Sequence, residues 1–349
     1  MPDEQDIQKL RAGLRHTVPR MHEYGARLYE MLMRAMLEDE DFLSFAVERN
    51  PATPLRLFFT VHYLQLRNPE WPLANYFQSI TPEPSPPEEA YPHFKEYCLA
   101  HAGDVRALMA ERTIQTTNTE RAASLLLGLA RAAEPAEPLS IIEIGCSAGI
   151  LLLFDEFRYD YGDGGSVGRE DARLTVPFSV VGANFRAPRR MPRIARRIGV
   201  DLEPVDPREP ENHRWIMANL FPEWQAQRQR LERALTLRAD YPLETYKGDA
   251  VALLPALLEQ VRGPICVVHA NVISFLPDEA QARLEAILRA ESDRRPVHKV
   301  SLDVTRQQLE AGVNRSTLAH TRYDKGDARV SVLGNTDLLG QRLVWTAED

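Results

Sequence analysis

The sequence is poor in cysteine. Its 349 residues contain three, Cys98, Cys146 and Cys266, at spacings that exclude a cysteine-ligated metal site. Cys146 and Cys266 lie in apolar strand contexts, which predicts buried thiols in a reducing cytoplasm. No run approaches eighteen apolar residues, so no membrane span is expected. The first residues, Met-Pro-Asp-Glu-Gln-Asp, lack the apolar core of a signal peptide, which predicts a cytoplasmic protein. Positive charge is not in excess either: 42 Lys and Arg stand against 50 Asp and Glu, a formal net charge of −8. That argues against a generic nucleic-acid binder, and no nucleic-acid or membrane partner is expected. There is no internal repeat. What remains is an ordinary composition, 44% hydrophobic and 26% charged, in a chain long enough for one large or two ordinary domains.

Residues 1–133 carry helical patterns. Ile7, Leu10 and Leu14 fall on one helical face, as do Met21, Tyr24, Leu28, Leu32 and Ala35. Thr53-Pro54 has the form of an N-cap followed by an N1 proline, opening a helix to Leu66. Proline-rich 81–92 is a surface loop. Thr117-Asn-Thr-Glu120 reads as a capping box before an apolar helix, Ala122 to Ala133.

The stretch that organises the rest is Leu139 to Phe154. A β-branched apolar run, Leu139–Ile144, reads as a buried strand. Gly145 and Gly149 then give a tight turn and a close approach, and a second apolar run reads as a helix reaching about Phe157. Such a helix would offer unpaired N–H groups to a polar ligand. Written as acidic-x-Gly-x-x-x-Gly, Glu143 to Gly149 resembles the first motif of class I S-adenosylmethionine (SAM) dependent methyltransferases. Written as Gly-x-Ser-x-Gly, the same residues match the nucleophile elbow of an α/β-hydrolase. A glycine-rich turn of any α/β fold is the third reading.

Downstream, Arg158 to Gly165 suggests a hairpin or exposed loop, and Thr175–Val181 a strand. Six arginines lie between Arg186 and Arg197, either a solvated surface or a binder of an anionic substrate. Ile198 to Asp206 reads as a short strand ending in an acid. Pro210–Leu237 is helical with a break at Pro222. Strands follow at Thr245, Ile265–His269 and Val297–Val304, with helices between, and Arg329–Leu333 with Arg342–Thr346 makes a terminal antiparallel pair. This order predicts a doubly wound, Rossmann-like, seven-stranded α/β domain at 134–349, with an insertion at about 158–197, behind a helical lid at 1–133.

In the methyltransferase reading, a carboxylate at the second strand end accepts from the ribose hydroxyls, and Asp201 suits this, with Leu202 beside it. Asp249, followed by Ala250, sits where an acid would meet the adenine amine; it is equally placed to cap a helix. His269, at a strand end, is a candidate general base or a satisfied structural histidine. The hydrolase reading needs an acid and a histidine, from Asp249 and His269 or Asp303 and His320. It lacks the strands and oxyanion loop that precede an elbow.

Taken together, Leu57–Leu64, Glu111–Asn118, Glu143–Gly149, Tyr159–Gly164, Gly199–Asp206, Arg214-Trp215 and Phe221-Pro-Glu223 resemble a bacterial family of unknown function, domain of unknown function 2332. That resemblance implies a class I methyltransferase fold with an added helical region. The expectation is a SAM-dependent methyltransferase acting on a small molecule. Glu143, Gly145, Cys146, Ser147 and Gly149 would hold the methionine end of SAM, Asp201 and Leu202 the ribose, and Asp249 and Ala250 the adenine. Gln115, Thr117, Asn118, Tyr159, Tyr161 and Asn271 would line the acceptor side, with His269 catalytic. The alternative is a non-catalytic module of the same fold that binds a metabolite or a protein.

Overall fold

In the computed structural model, which describes residues 4–47, 54–133, 137–182 and 184–347, the run Leu139–Ile144 forms a strand buried along its whole length. This is β1, at the middle of a nine-stranded sheet. The other strands follow in chain order: β2 (Arg158–Asp160), β3 (Ser166–Val167), β4 (Thr175–Pro177), β5 (Ser179–Val181), β6 (Ile194–Asp201), β7 (Glu244–Lys247), β8 (Ile265–Ala270), β9 (Val297–Asp303), β10 (Arg315–Asp324), β11 (Asp327–Asp337) and β12 (Arg342–Trp345). The large sheet has the order β5-β12-β11-β10-β9-β8-β1-β6-β7; β3-β2-β4 form a small second sheet. From β9 to β7 every neighbouring pair is parallel.

The fold is mixed α/β, and the expected count of seven strands is corrected to nine. The difference lies at the far edge, where β9, β10, β11 and β12 run antiparallel in turn and β5 adds beside β12. The long β10–β11 hairpin escapes a sequence reading because its alternation is interrupted. Its register shifts between Leu318 and Ala319, and β11 exposes both Val330 and Ser331.

The helices are α1 (Glu4–Glu23), α2 (Arg27–Leu37), α3 (Glu40–Val47), α4 (Pro54–Arg67), α5 (Ala90–Ala100), α6 (Ala102–Glu111), α7 (Glu120–Ala132), α8 (Pro210–Ala218), α9 (Gln225–Asp240), α10 (Ala250–Gln260), α11 (Asp278–Ser292) and α12 (Arg306–Glu310). Pro222 separates α8 from α9, as its missing N–H requires. The Thr53 cap, and residues 134–136 of the linker after α7, lie outside the described residues. No helix among the described residues is long and apolar enough to cross a membrane.

The chain divides into two compact units. Residues 1–117 and 208–229 form the first, an all-helical unit. Its core stacks Phe58 on Phe94 and sets Tyr29 edge-on to Phe221. The Leu28 amide, in the first turn of α2, donates to Glu223 Oε1 at 2.7 Å, so a carboxylate distant in sequence caps that helix. His62 is buried, with Nδ1 2.9 Å from the Ala218 carbonyl and Nε2 2.7 Å from Ser79 Oγ.

Residues 118–207 and 230–349 form the second unit, which holds the sheets. Its division from the first falls after Thr117, so α7, counted with the N-terminal helices at 1–133, belongs here. Strand alternation explains why both sheet faces are covered. Ile142, Ile144, Val267 and Val297 face α10 and α11 in one core. Val300, of opposite parity, faces α7, where a Cβ added to Gly128 would stand 2.5 Å from Val300 Cγ1.

This contact yields a prediction. Alanine improves helix propensity over glycine by about 1 kcal/mol. Here it must push a β-branched side chain held in a sheet, and overpacking of that kind costs about 1–3 kcal/mol. Gly128→Ala should therefore lower the urea midpoint. Val300→Ala, although destabilising alone, should combine with it sub-additively. Strictly additive losses would dismiss the contact.

Candidate functional site

The turn after β1 is built from backbone that only some residues accept. Gly145, Ser147 and Gly149 have φ of 74°, 49° and 73°, the left-handed region. The Gly145 and Cys146 amides both donate to the Val200 carbonyl, at 2.8 and 3.2 Å. The Ser147 amide donates to Asp201 Oδ2 at 2.8 Å, and the Val205 amide donates back to the Ser147 carbonyl at 3.0 Å. From below, Arg238 Nε donates to the Ala148 carbonyl at 3.0 Å. A Cβ on Gly145 would stand 2.5 Å from Val272, and one on Gly149 2.8 Å from Leu243. Both glycines are therefore favoured by φ, and Gly145 also by its close approach to a β-branched side chain.

The second apolar run does not form the expected helix. Ile150–Glu156 makes two short 3-10 turns joined at a kink at Leu153. Ile150, Leu152, Leu153 and Phe154 are all buried, so no amphipathic stripe selects an α-helical period. The expectation of an α-helix N-terminus facing a ligand is corrected accordingly.

Carboxylates gather at neighbouring strand ends. Asp201 closes β6, and its other oxygen, Oδ1, accepts from the Glu203 amide at 2.8 Å. Leu202 beside it is 69% exposed. Asp249, after β7, caps α10 by accepting from the Ala252 amide at 2.8 Å, and Ala250 is the first residue of that helix. Glu143 is different. Opposite in parity to Ile142 and Ile144, it is buried, and among the described residues nothing hydrogen-bonds its Oε2. Burial first, and the Asp201 charge second, raise its carboxyl well above the ordinary glutamate range. Cys146 packs against Gly199, where an added Cβ would lie 2.6 Å from its sulfur. Burial, with Glu143 and Asp201 adding to it, raises its thiol and keeps it unreactive.

The end of β8 carries a histidine–aspartate pair. His269 Nδ1 lies 2.6 Å from Asp303 Oδ2 at the end of β9, and the ring is 3% exposed. Asp303 Oδ1 accepts from the Val272 and Ile273 amides at 2.8 and 3.0 Å. Burial pushes the Asp303 carboxyl up, but its pairing with His269 and the two amides outweigh this and hold it below the usual value. His269 Nε2 is buried and has no partner among the described residues. Asn271, at φ 55°, donates from Nδ2 to the Leu338 carbonyl and accepts at Oδ1 from Ser316 Oγ, both at 2.8 Å. The sequence offered two acid–histidine pairings, Asp249 with His269 and Asp303 with His320, and the structure forms neither. His320 stacks on His298 instead, nitrogen to nitrogen at 2.9 Å.

The remaining site candidates divide. Gln115 and Thr117 fall in the first unit, where the Gln115 amide donates to Asn219 Oδ1. Asn118 belongs to the second unit and holds two backbones at once. Its Nδ2 donates to the Leu339 carbonyl at 2.6 Å, and its Oδ1 accepts from the Arg121 amide in the first turn of α7. That helix is thus capped by Asn118, not by the expected Thr117–Glu120 box. Glu120 instead accepts from Arg230. Tyr159 and Tyr161 are buried, their hydroxyls donating to the Phe154 and Ala123 carbonyls at 2.7 and 2.8 Å. The expected hairpin is there, as β2 with β3, but its tyrosines are core. Of the arginine-rich stretch, Arg196 pairs with Glu244 at 2.6 Å and Arg197 with Asp155, so these two serve β6.

The match to a family model of uncharacterized proteins conserved in bacteria, domain of unknown function 2332, runs from residue 11 to residue 345. The chain belongs to this family. No curated protein and no solved structure matches it.

Glu143 gives a direct test of this electrostatic arrangement. A carboxyl raised on folding holds its proton more tightly folded than unfolded. Its contribution to stability is complete below the ordinary value of 4.5 and is lost as pH rises through the folded value. Glu143→Gln removes that titration. Its denaturation midpoint should fall less between pH 5 and pH 8 than that of the wild type. Identical pH dependence in the two proteins would place the raised proton elsewhere.

Proposed function

We propose that the second unit binds SAM across the ends of β1, β6 and β7 and transfers its methyl group to a small-molecule acceptor at the end of β8. The observation that carries this reading is two buried polar atoms without partners among the described residues at the ends of adjacent strands, Glu143 Oε2 on the face away from α10 and α11 and His269 Nε2 on the face toward them, so a ligand meeting both must cross the end of the sheet. Buried polar groups are normally paired, and a ligand with complementary groups is one way to satisfy them. The strand order adds weight. Beyond β1 the chain builds outward through β6 and β7, then returns to build β8 and β9 on the other side. Open α/β sheets take ligands at the carboxyl ends of strands where the order reverses in this way. The run β7-β6-β1-β8-β9 resembles the parallel part of a class I methyltransferase sheet, although fold alone does not give activity.

The residues present suit such a cofactor. Each carboxylate oxygen has two acceptor sites, so Asp201 can hold the Ser147 and Glu203 amides and still accept from two ribose hydroxyls. Exposed Leu202 offers an apolar face to a base, and Asp249 keeps an oxygen for an exocyclic amine while it caps α10. Glu143 is the available partner for a cationic or N–H-bearing group at the methionine end. SAM would supply a methyl group on a cationic sulfur, and the protein would position the acceptor in line with it.

Calorimetry with SAM and S-adenosylhomocysteine tests the reading. Wild-type protein should bind both. Asp201→Ala, which leaves two hydroxyls poorly paired at a cost of about 1–3 kcal/mol, should weaken binding by about tenfold or more. Unchanged affinity would remove Asp201 from the ribose, and no binding by the wild type would remove SAM from the account.

Ser147 favours a second reading by one observation. Its φ of 49° is the kind of strained geometry found at a nucleophile elbow. Against a hydrolase, His269 precedes its partner Asp303 in the chain, the reverse of the acid-then-histidine order. A fluorophosphonate probe should therefore leave the wild-type protein unlabelled. Labelling abolished by Ser147→Ala would establish the serine as a nucleophile instead.

A further inference from the structure

We infer that Asp303 fixes His269 as the tautomer protonated on Nδ1, leaving Nε2 as a bare acceptor poised for the O–H group of a small ligand. The first part follows from two facts. Asp303 is an ionised carboxylate held by two backbone amides, so its Oδ2, 2.6 Å from Nδ1, is an acceptor and the ring nitrogen must donate. The ring is rigidly placed, since Asp303 is anchored on β9 and His269 on the adjacent parallel strand, in register with Ser301, two residues before Asp303. The proton thereby assigned to Nδ1 leaves a lone pair on Nε2, which is buried and has no partner among the described residues.

The surroundings of the ring select the kind of group it meets. Other charge on this side comes from Glu285 on α11, which accepts from Lys299 and, at 2.6 Å, from Tyr323 Oη. Those partners hold its carboxyl below the usual value against burial. The ring therefore lies near two carboxylates, Asp303 and Glu285. In the neutral ring the Nε2 lone pair accepts from a neutral donor, and the carboxylate of Asp303 stabilises the imidazolium that forms when the donor gives up its proton. The same aspartate links the pair to the glycine turn. Val272, whose amide Asp303 holds, is the side chain against which Gly145 packs. Phe275, in the segment that follows β8, is 79% exposed.

The ligand class is then an alcohol or phenol. Resting on the methyltransferase reading for the donor alone, the step is as follows. SAM, when bound, would supply the methyl group: the ligand O–H proton would pass to His269 Nε2 and the oxygen would take the methyl, the carbon–sulfur electron pair staying on sulfur. A thioether and a methyl ether result, with the imidazolium neutralised by Asp303. Asp303 is a positioning residue, and His269 the catalytic one.

The test needs no cofactor. In wild-type protein labelled with ¹⁵N-histidine at neutral pH, His269 should show a protonated Nδ1 and a bare, pyridine-like Nε2. Its signal is identified through His269→Gln or, should that variant not fold, through correlation to its own backbone amide. Phenol, used as the probe, should shift the Nε2 resonance, whereas anisole, which lacks the O–H, should not. Asp303→Asn should abolish the tautomer preference if it folds. A wild-type His269 protonated on Nε2 overturns the positioning role. A bare Nε2 that phenol does not perturb, or that anisole perturbs equally, overturns the ligand class. Failure of SAM to bind would leave these results standing, so this inference and the methyl-transfer reading fail separately.

Discussion

The end of β1 is locked to the end of β6, and the arrangement of the second unit follows from that lock. Two successive amides of the turn share the Val200 carbonyl, the next donates to the Asp201 side chain, and Val205 returns a hydrogen bond to Ser147. Such a density of backbone bonds demands the left-handed conformations at Gly145, Ser147 and Gly149. It also fixes where Glu143 ends up: two residues before Gly145, on the face away from α10 and α11, and buried. The raised carboxyl of Glu143 is thus a consequence of a backbone requirement at its neighbours.

A similar economy operates at β8 and β9. One carboxylate, Asp303, collects an imidazole and two consecutive amides. In a buried site each of these contacts is strengthened by the low local dielectric, and each would be costly to leave unmade. The two strand ends therefore use the same device, an aspartate that organises a turn. They differ in what is left over: a carboxylate oxygen on one side and an imidazole nitrogen on the other.

Much of this was legible in the residues themselves. The buried run Leu139–Ile144, the two glycines and the alternation of strand and helix after Ile194 follow from periodicity and turn chemistry. The Pro222 break follows from a missing N–H. What was not legible depended on neighbours distant in sequence. The partner of His269 lies 34 residues on, and only the register of β8 on β9 brings Asp303 beside it. Arg238, which supports the turn, lies 90 residues from Ala148 and sits in a helix of ordinary polar appearance. Ile150–Phe154 misled because burial of four of its five residues leaves no periodicity to distinguish helix types. Tyr159 and Tyr161 misled because glycines beside them suggested an exposed loop, whereas small-sheet pairing draws both rings inward.

The three cysteines give the chain an internal clock. All are free and buried, and burial raises every thiol above its ordinary value. An alkylating reagent reacts with thiolate, so it reaches these sulfurs only in molecules that have opened. Cys98 reports on the helical unit, Cys266 on the centre of the sheet, and Cys146 on the turn itself. The order in which the three become modified would rank the local opening energies of those regions within one unlabelled, unmutated chain.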